Sequence, residues 1–425
     1  MRRLYTLILY LLTPLVLLRL ALRGLHTPSY WHRWPERFGY VPRLNKPVAL
    51  WIHAVSVGEV QATLPLVQSL RKRIDPANIL ITTMTPTGLD RVRALYGNQS
   101  VHVYAPYDLP GAVARFLDRT QPRLALVMET EIWPNLFHAC HQQDIPVFMV
   151  NARMSERSFQ GYRRVPGLTA QTLAQVTGIL AQGAEDRRRL AALGASADRL
   201  HITGSVKFDI ALPPSLAEQA AALRRSWGVE RPVWVAASTH QGEDEIILAA
   251  FKILLQSFSN ALLILVPRHP ERFASAEALC RRKNFSTVLR SKGKACDATM
   301  QVFIGDTMGE LTLFFASADV AFVGGSLISA GGHNPLEPAA LGVPALFGPH
   351  MFNFSDMSRW LIQAGAAAEV NNGDDLAQQV GYWFKNANAR HDAGQRGRQV
   401  VEQHKGAVKA VVKLLEPYLE KIDSR

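Results

Sequence analysis

Cysteine is scarce in this 425-residue chain: Cys140, Cys280 and Cys296 are odd in number and far apart, with no C-x-x-C pair and no Cys/His cluster. That usage argues against a disulfide scaffold or a thiolate metal site and reads as free thiols in a reducing compartment. Acids are also in deficit, 35 Asp and Glu against 47 Lys and Arg, for a net charge of +12. The balance favours an anionic partner, whether nucleic acid, acidic lipid or a phosphorylated ligand. Zinc-finger spacing, an RNP-like aromatic motif and a continuous basic helix are all lacking, which argues against nucleic acid and leaves an anionic membrane as the better fit. Low-complexity segments and short-period repeats are absent too. What remains is a composition of 48% hydrophobic and 19% charged residues, the profile of a folded enzyme long enough for two domains with a cleft between them.

Long apolar runs are lacking except at the amino terminus. Leu4 to Leu18 is interrupted only by Thr6, Thr13 and Pro14, with Arg2 and Arg3 before it and Arg19 and Arg23 after. As a helix this run spans about 22 Å against a hydrocarbon core of roughly 30 Å, and it nearly spans if Arg19 snorkels and the run extends to Leu22. Basic residues stand where a signal-peptide cleavage site would need small ones, so the segment is expected to stay as an anchor over residues 1–25. Four arginines against Glu36 between Arg19 and Arg37 place the flank and the body after it in the cytoplasm. Whether the helix spans or lies in the interface is left open.

From about residue 45, short β-branched runs alternate with helical stretches: Val48 to His53, Ile79 to Thr85, Val101 to Pro106, Leu124 to Thr130, Val147 to Asn151, Gly178 to Gln182 and His201 to Val206. This alternation predicts one doubly wound α/β domain over 26–207. Pro213 and Pro214 break the register, and 208–228 is read as a linker ending in a helix from Ser215 to Trp227. A second alternating series follows at Val233 to Ala237, Ala261 to Pro267, Val302 to Asp306, Val320 to Gly324 and Val343 to Phe347, predicting a second domain over 229–425. The helical stretch from His391 carries an apolar stripe through Val400, Val408, Val411 and Leu415. It is read as one or two closing helices that could return to the first domain.

Ligands of open α/β sheets bind beyond the carboxyl ends of the strands, so motifs at strand ends carry the functional reading. Ser56-Val57-Gly58-Glu59 follows the first strand. Glu59 is either a capping-box acid paired with Ser56 or a carboxylate, kept ionised by a helix amino terminus, that takes a proton from an incoming hydroxyl. Met128 to Asn135 holds Glu129 and Glu131. An E-x-E pair alone is thin for a hard divalent ion, so no metal site is expected; Glu131 suits a helix cap, whereas Glu129 is harder to explain structurally. Lys207 is either a solvated hinge lysine or a cation for a departing phosphate. In the second half, Pro267-Arg268 offers a guanidinium at a strand end. Asp306 to Glu310, with Met308 and Gly309 between, forms a strand-to-helix turn with free N–H groups. Gly331-Gly332-His333-Asn334-Pro335-Leu336-Glu337 combines close backbone approach with a carboxylate for ribose hydroxyls.

Taken together these segments resemble the 3-deoxy-D-manno-octulosonic acid (Kdo) transferases of lipopolysaccharide synthesis. The resemblance also takes in Thr82 to Gly88, Tyr107 to Pro110, Asn151-Ala152-Arg153, Gly204 to Phe208, Ser238-Thr239-His240 and Gly324 to Glu337. It implies a GT-B fold, two facing doubly wound domains behind an amino-terminal anchor, and an inverting, metal-independent transfer of Kdo from CMP-Kdo to a glucosamine hydroxyl of a tetraacylated lipid A precursor, with no cofactor. It further implies Glu59 as general base, Glu129 and Lys207 as stabilisers of the transition state, and CMP held by Pro267, Arg268, Met308, Gly309, Glu310, Asn334, Pro335, Leu336 and Glu337. The expected setting is the cytoplasmic side of an anionic inner membrane. Two rivals are a sugar-nucleotide epimerase on the same fold, which needs no lipid and no anchor, and a non-catalytic membrane-surface binding protein.

Overall fold

From Val48 onward the apolar runs become short parallel strands, most of them with both faces covered. In the computed structural model, which describes residues 1–44, 46–97 and 99–423, the strands are β1 (Leu50–His53), β2 (Ile79–Thr83), β3 (Val101–Tyr104), β4 (Ala125–Met128), β5 (Val147–Ala152), β6 (Gly178–Ala181) and β7 (Leu200–Ile202). They are followed by β8 (Val233–Thr239), β9 (Leu262–Pro267), β10 (Thr287–Leu289), β11 (Val302–Ile304), β12 (Val320–Val323), β13 (Ala345–Phe347) and β14 (Ala367–Glu369). They form two seven-stranded parallel sheets, in the orders β3-β2-β1-β4-β5-β6-β7 and β10-β11-β9-β8-β12-β13-β14. The order reverses between β1 and β4 in the first sheet and between β8 and β12 in the second, and these switch points are where a doubly wound sheet opens a crevice.

Alternate side chains of each strand feed opposite cores, as the two-residue strand period demands. In the first sheet Trp51, Leu80, Val127 and Met149 enter one core, while Leu50, Ile52, Ile81, Leu126 and Val150 enter the other. In the second sheet Trp234, Leu263, Leu265 and Phe322 face one way and Val233, Val235, Ile264 and Ala321 the other.

The chain divides into two compact units, residues 1–209 with 405–425, and residues 210–404. Two expected boundaries therefore move. The stretch read as a linker contains the helix Leu216–Trp227, which packs into the second unit through Trp227 against Phe303 and through Arg224, 2.8 Å from Asp319. The closing helix Ala407–Asp423 belongs with the first unit and not with 229–404: Val408, Val411, Leu415 and Leu419 complete a core of the first sheet. The break that permits the return is at Gly406, whose φ of +104° suits glycine. After β1 the chain forms two short helices, Val57–Ala62 and Leu64–Leu70, separated because Pro65 has no N–H to continue the first.

Candidate active site

The first unit gathers three acids and a lysine at the β1/β4 switch point. Ser56 caps the helix Val57–Ala62, its Oγ accepting the Glu59 N–H at 3.2 Å. The Glu59 carboxylate reaches back, Oε1 accepting from the Ser56 hydroxyl at 2.9 Å and Oε2 from the Val55 N–H at 2.8 Å. The capping arrangement anticipated as the alternative is thus present, and it holds the carboxyl in place while each oxygen keeps a free lone pair. Glu59 is 7% exposed. Burial first, then the charges of Glu129 and Glu131, push its pKa up to about 8 against the two hydrogen bonds. This corrects the expectation that the helix dipole keeps it ionised: the helix is six residues long, and desolvation plus two like charges outweigh it.

Glu129 leaves β4 with φ +55°, a conformation that costs a non-glycine residue and recurs at functional sites. Its N–H still bonds Val150 O at 2.9 Å, and its carboxylate lies 3.0 Å from Lys207 Nζ. Lys207 sits not on a strand but in the turn Val206–Phe208. That turn is pinned by a residue to which sequence reasoning gave no role: Asn151, fully buried at φ +57°, accepts the Val206 N–H on Oδ1 at 3.1 Å. Glu131 accepts the Trp133 indole N–H at 2.7 Å, and burial raises its pKa, with Glu129 adding to the rise and Trp133 opposing it. The Trp133 ring in turn stands edge-on to His53, 4.8 Å away. Burial drives the His53 pKa down to about 3, so this imidazole is neutral and bonded through Nδ1 to Thr82 Oγ1 at 2.9 Å.

The second unit builds its site at the β8/β12 switch point. Glu243, with no exposed surface, accepts the N–H groups of His240, Gly325, Ser326 and Leu327 at 2.7–3.0 Å, binding two loops into one wall. Gly324 is required here, since a Cβ would lie 2.6 Å from Ser238 O. Across this wall His240 and His333 share a hydrogen bond between their Nε2 atoms at 2.9 Å. Burial, reinforced by the charge of Arg268, lowers the His333 pKa to about 3. Arg268 follows Pro267 at the end of β9, its N–H bonded to Thr239 O at 2.9 Å; burial lowers its pKa and the charge of Glu337 opposes this. Asn334 accepts the Leu336 N–H at 3.1 Å and donates to Glu337 at 3.3 Å, so Asn334, Pro335, Leu336 and Glu337 form one ordered turn into the helix Leu336–Ala340.

Arg268 and Glu337 are therefore brought together, whereas the 306–310 turn is built on separate partners. Glu310 is gripped by Arg290 through Nε at 3.0 Å and Nη2 at 2.7 Å, which holds its pKa low, and Asp306 accepts the Ser291 N–H at 2.8 Å. Met308 is exposed, and Gly309 next to it has φ +86°. Glu243, Arg290 and the His240–His333 pair had no assigned role, since Glu310 lies 20 positions from Arg290, three of the four Glu243 donors lie 82 to 84 positions away, and the two histidines are 93 apart. Among the described residues no cluster of three or more His, Cys, Asp or Glu is placed to hold a metal ion.

Comparison with known proteins completes the picture. A family sequence model described as 3-deoxy-D-manno-octulosonic-acid transferase (kdotransferase) matches residues 32–210. The chain is 41% identical to the 3-deoxy-D-manno-octulosonic acid transferase of Haemophilus influenzae over 98% of both chains. It is 37% identical to that of Bordetella pertussis, covering 98% of this chain and 99% of the other. Among solved structures, UDP-GlcNAc 2-epimerase from Neisseria meningitidis bound to UDP-GlcNAc superposes with a TM-score of 0.56 at 13% identity, covering 87% of this chain and 99% of its own. That likeness speaks for the fold alone and agrees with the expected GT-B architecture. The sequence relatives go further and decide the family: this chain belongs to the 3-deoxy-D-manno-octulosonic acid transferases, which are glycosyltransferases.

Proposed function

We propose that the protein transfers Kdo from CMP-Kdo to a glucosamine hydroxyl of a tetraacylated lipid A precursor (lipid IVA), with inversion and without a metal ion, at the cytoplasmic side of the inner membrane. In this reading residues 26–207 serve the acceptor and the second unit serves the nucleotide. The observation that carries it is the Glu59 carboxyl, buried and held by two hydrogen bonds beside the Glu129–Lys207 pair. Glu59 takes the proton of the acceptor hydroxyl as its oxygen bonds the anomeric carbon of Kdo. The bond from that carbon to the CMP phosphate breaks, and CMP leaves with the electron pair. One base and one displacement invert the centre.

Lys207, oriented by Glu129, supplies positive charge to the transition state, the part a metal plays in other transferases. Pro267, Arg268, Met308, Gly309, Glu310, Asn334, Pro335, Leu336 and Glu337 hold CMP. Arg268 suits its phosphate and Glu337 its ribose hydroxyls. The amino-terminal helix, apolar and flanked by arginines, supports the membrane setting.

The test is CMP release from CMP-Kdo with and without the tetraacylated lipid, read together with the mass of the lipid. Release that depends on the acceptor, with the lipid gaining one or more Kdo masses, is expected. Glu59→Gln should abolish it while CMP still binds. Release without a lipid mass gain, or loss of CMP binding together with activity in Glu59→Gln, overturns the reading.

A further inference from the structure

The helix Arg2–His26 is 25 residues long, about 37 Å at 1.5 Å per residue, enough to cross a bilayer by length. Its contacts contradict a crossing. At the amino-terminal end Tyr5 donates its hydroxyl to Asp108 at 2.9 Å, and Arg2 and Thr6 donate to Asn135 Oδ1 at 3.1 and 3.0 Å. Asp108 is itself buried and accepts the N–H groups of Asn135 and Leu136 at 3.1 and 2.7 Å, so the lock is part of the first unit's fold.

The other end of the helix is tied to the same body. Leu20 is buried, and the chain then turns through Pro28–Trp31 into residues whose partners belong to the first sheet and its loops. Arg33 donates to His102 O at 2.9 Å, Glu36 accepts the Tyr104 N–H at 2.9 Å, and the fully buried Arg37 donates to Met84 O at 3.0 Å. Between the ends, Tyr5, Leu9, Thr13 and Leu17 are half-buried, while Leu4, Leu7, Leu11, Leu15, Leu18 and Leu22 are exposed. The half-buried set follows helical spacing, so one narrow stripe is partly covered along the helix, while the wider face around the leucines, with Ile8, Leu12 and Val16, is bare.

A spanning helix puts its ends on opposite sides of roughly 30 Å of hydrocarbon, and a single folded body cannot bind both. Taking up the membrane setting proposed above, we infer that this helix is monotopic. It lies in the plane of one leaflet, with the leucine stripe immersed at the level of the headgroups and upper acyl chains. Arg3 at one end and Arg23 at the other meet anionic headgroups of the same surface. The charge pattern fits this better than a crossing, because a spanning helix would send one arginine cluster to the side that the positive-inside rule disfavours. The lock also has a consequence for the site: Asp108 and Asn135 hold the start of the helix Pro134–Gln142, which directly follows the Glu129–Trp133 loop. Seating the leucine stripe in the leaflet thereby sets the height of that loop above the lipid surface.

The three native cysteines are buried, so the full-length chain carrying Arg3→Cys or Arg23→Cys presents one accessible thiol. We would label each with a membrane-impermeant maleimide in inverted and right-side-out inner-membrane vesicles. Nitroxide depth would be read at Leu4→Cys, Leu11→Cys and Leu18→Cys in vesicles of phosphatidylethanolamine and phosphatidylglycerol. Labelling of both arginine positions from the cytoplasmic face only, with one shallow depth for all three leucine positions, is the expected result. Labelling from opposite faces, or a depth that passes through the bilayer centre, overturns the monotopic seat and leaves the membrane and Kdo-transfer readings standing. Recovery of the chain in the soluble fraction overturns the membrane reading itself, while the CMP-release assay reports on transfer separately.

Discussion

Glu59 ties its protonation to stability and, as the proposed base, to turnover. Its carboxyl, pushed up to about 8, binds a proton more tightly in the folded chain than the ordinary value near 4.5 allows. The stability that this proton contributes is complete below the unfolded value and is lost as pH rises through about 8. The basic form is gained over the same range. If Glu59 is the base, kcat/KM should climb about tenfold per pH unit below pH 8 and level off above it. Glu129→Gln removes one of the like charges that raise the value, so the rising limb should shift to lower pH; a pH–rate profile of the variant measures this. A limb that stays put would mean that the titrating group is not Glu59. Glu59, Glu129 and Lys207 could be singled out in the sequence because each follows an apolar run, and strand ends are where α/β sheets work. The sign of the Glu59 shift could not be read there, since it depends on Glu129 and Glu131 arriving from seventy residues downstream. Nor could Glu243 be read, a carboxylate whose donors come from two loops.

At the scale of elements, six strands of the first sheet coincide with apolar runs, because strands buried on both faces are nearly continuously β-branched or aliphatic; the seventh, Leu200–Ile202, lies at the sheet edge with Ile202 exposed and shares only two residues with the run His201 to Val206. β10 and β14 were missed: each has three residues and sits at a sheet edge, too short to show a period. The closing helix was legible as an amphipathic stripe but not in its destination, because its leucines and valines would suit either core. Its packing yields a prediction. Leu415 is fully buried against the first sheet's core, and Leu415→Ala should cost about 2–5 kcal/mol. Chemical denaturation should show the loss in the unfolding of the first unit, with CMP affinity unchanged. A loss of CMP affinity of similar size would mean that the helix supports the second unit instead.

For the whole molecule, the decisive feature is two sheets with separate cores joined by a chain that leaves the first unit after Asp209 and re-enters it at Lys405. Neither core borrows its buried side chains from the other, so unfolding need not be a single cooperative event. A ligand that binds one folded unit stabilises that unit by mass action, about 2.7 kcal/mol at a hundredfold excess over its Kd. For a unit of this size that corresponds to a rise of roughly 5–10 °C in its own transition. Every residue proposed to hold CMP lies in the unit 210–404. Calorimetry with CMP should therefore raise one transition and leave the other in place, and Arg268→Ala should abolish the shift. Leu415→Ala should lower the transition that CMP leaves unmoved. Movement of both transitions by CMP alone would show that the nucleotide also engages the unit carrying Glu59, and the division of donor and acceptor between the two units would have to be redrawn.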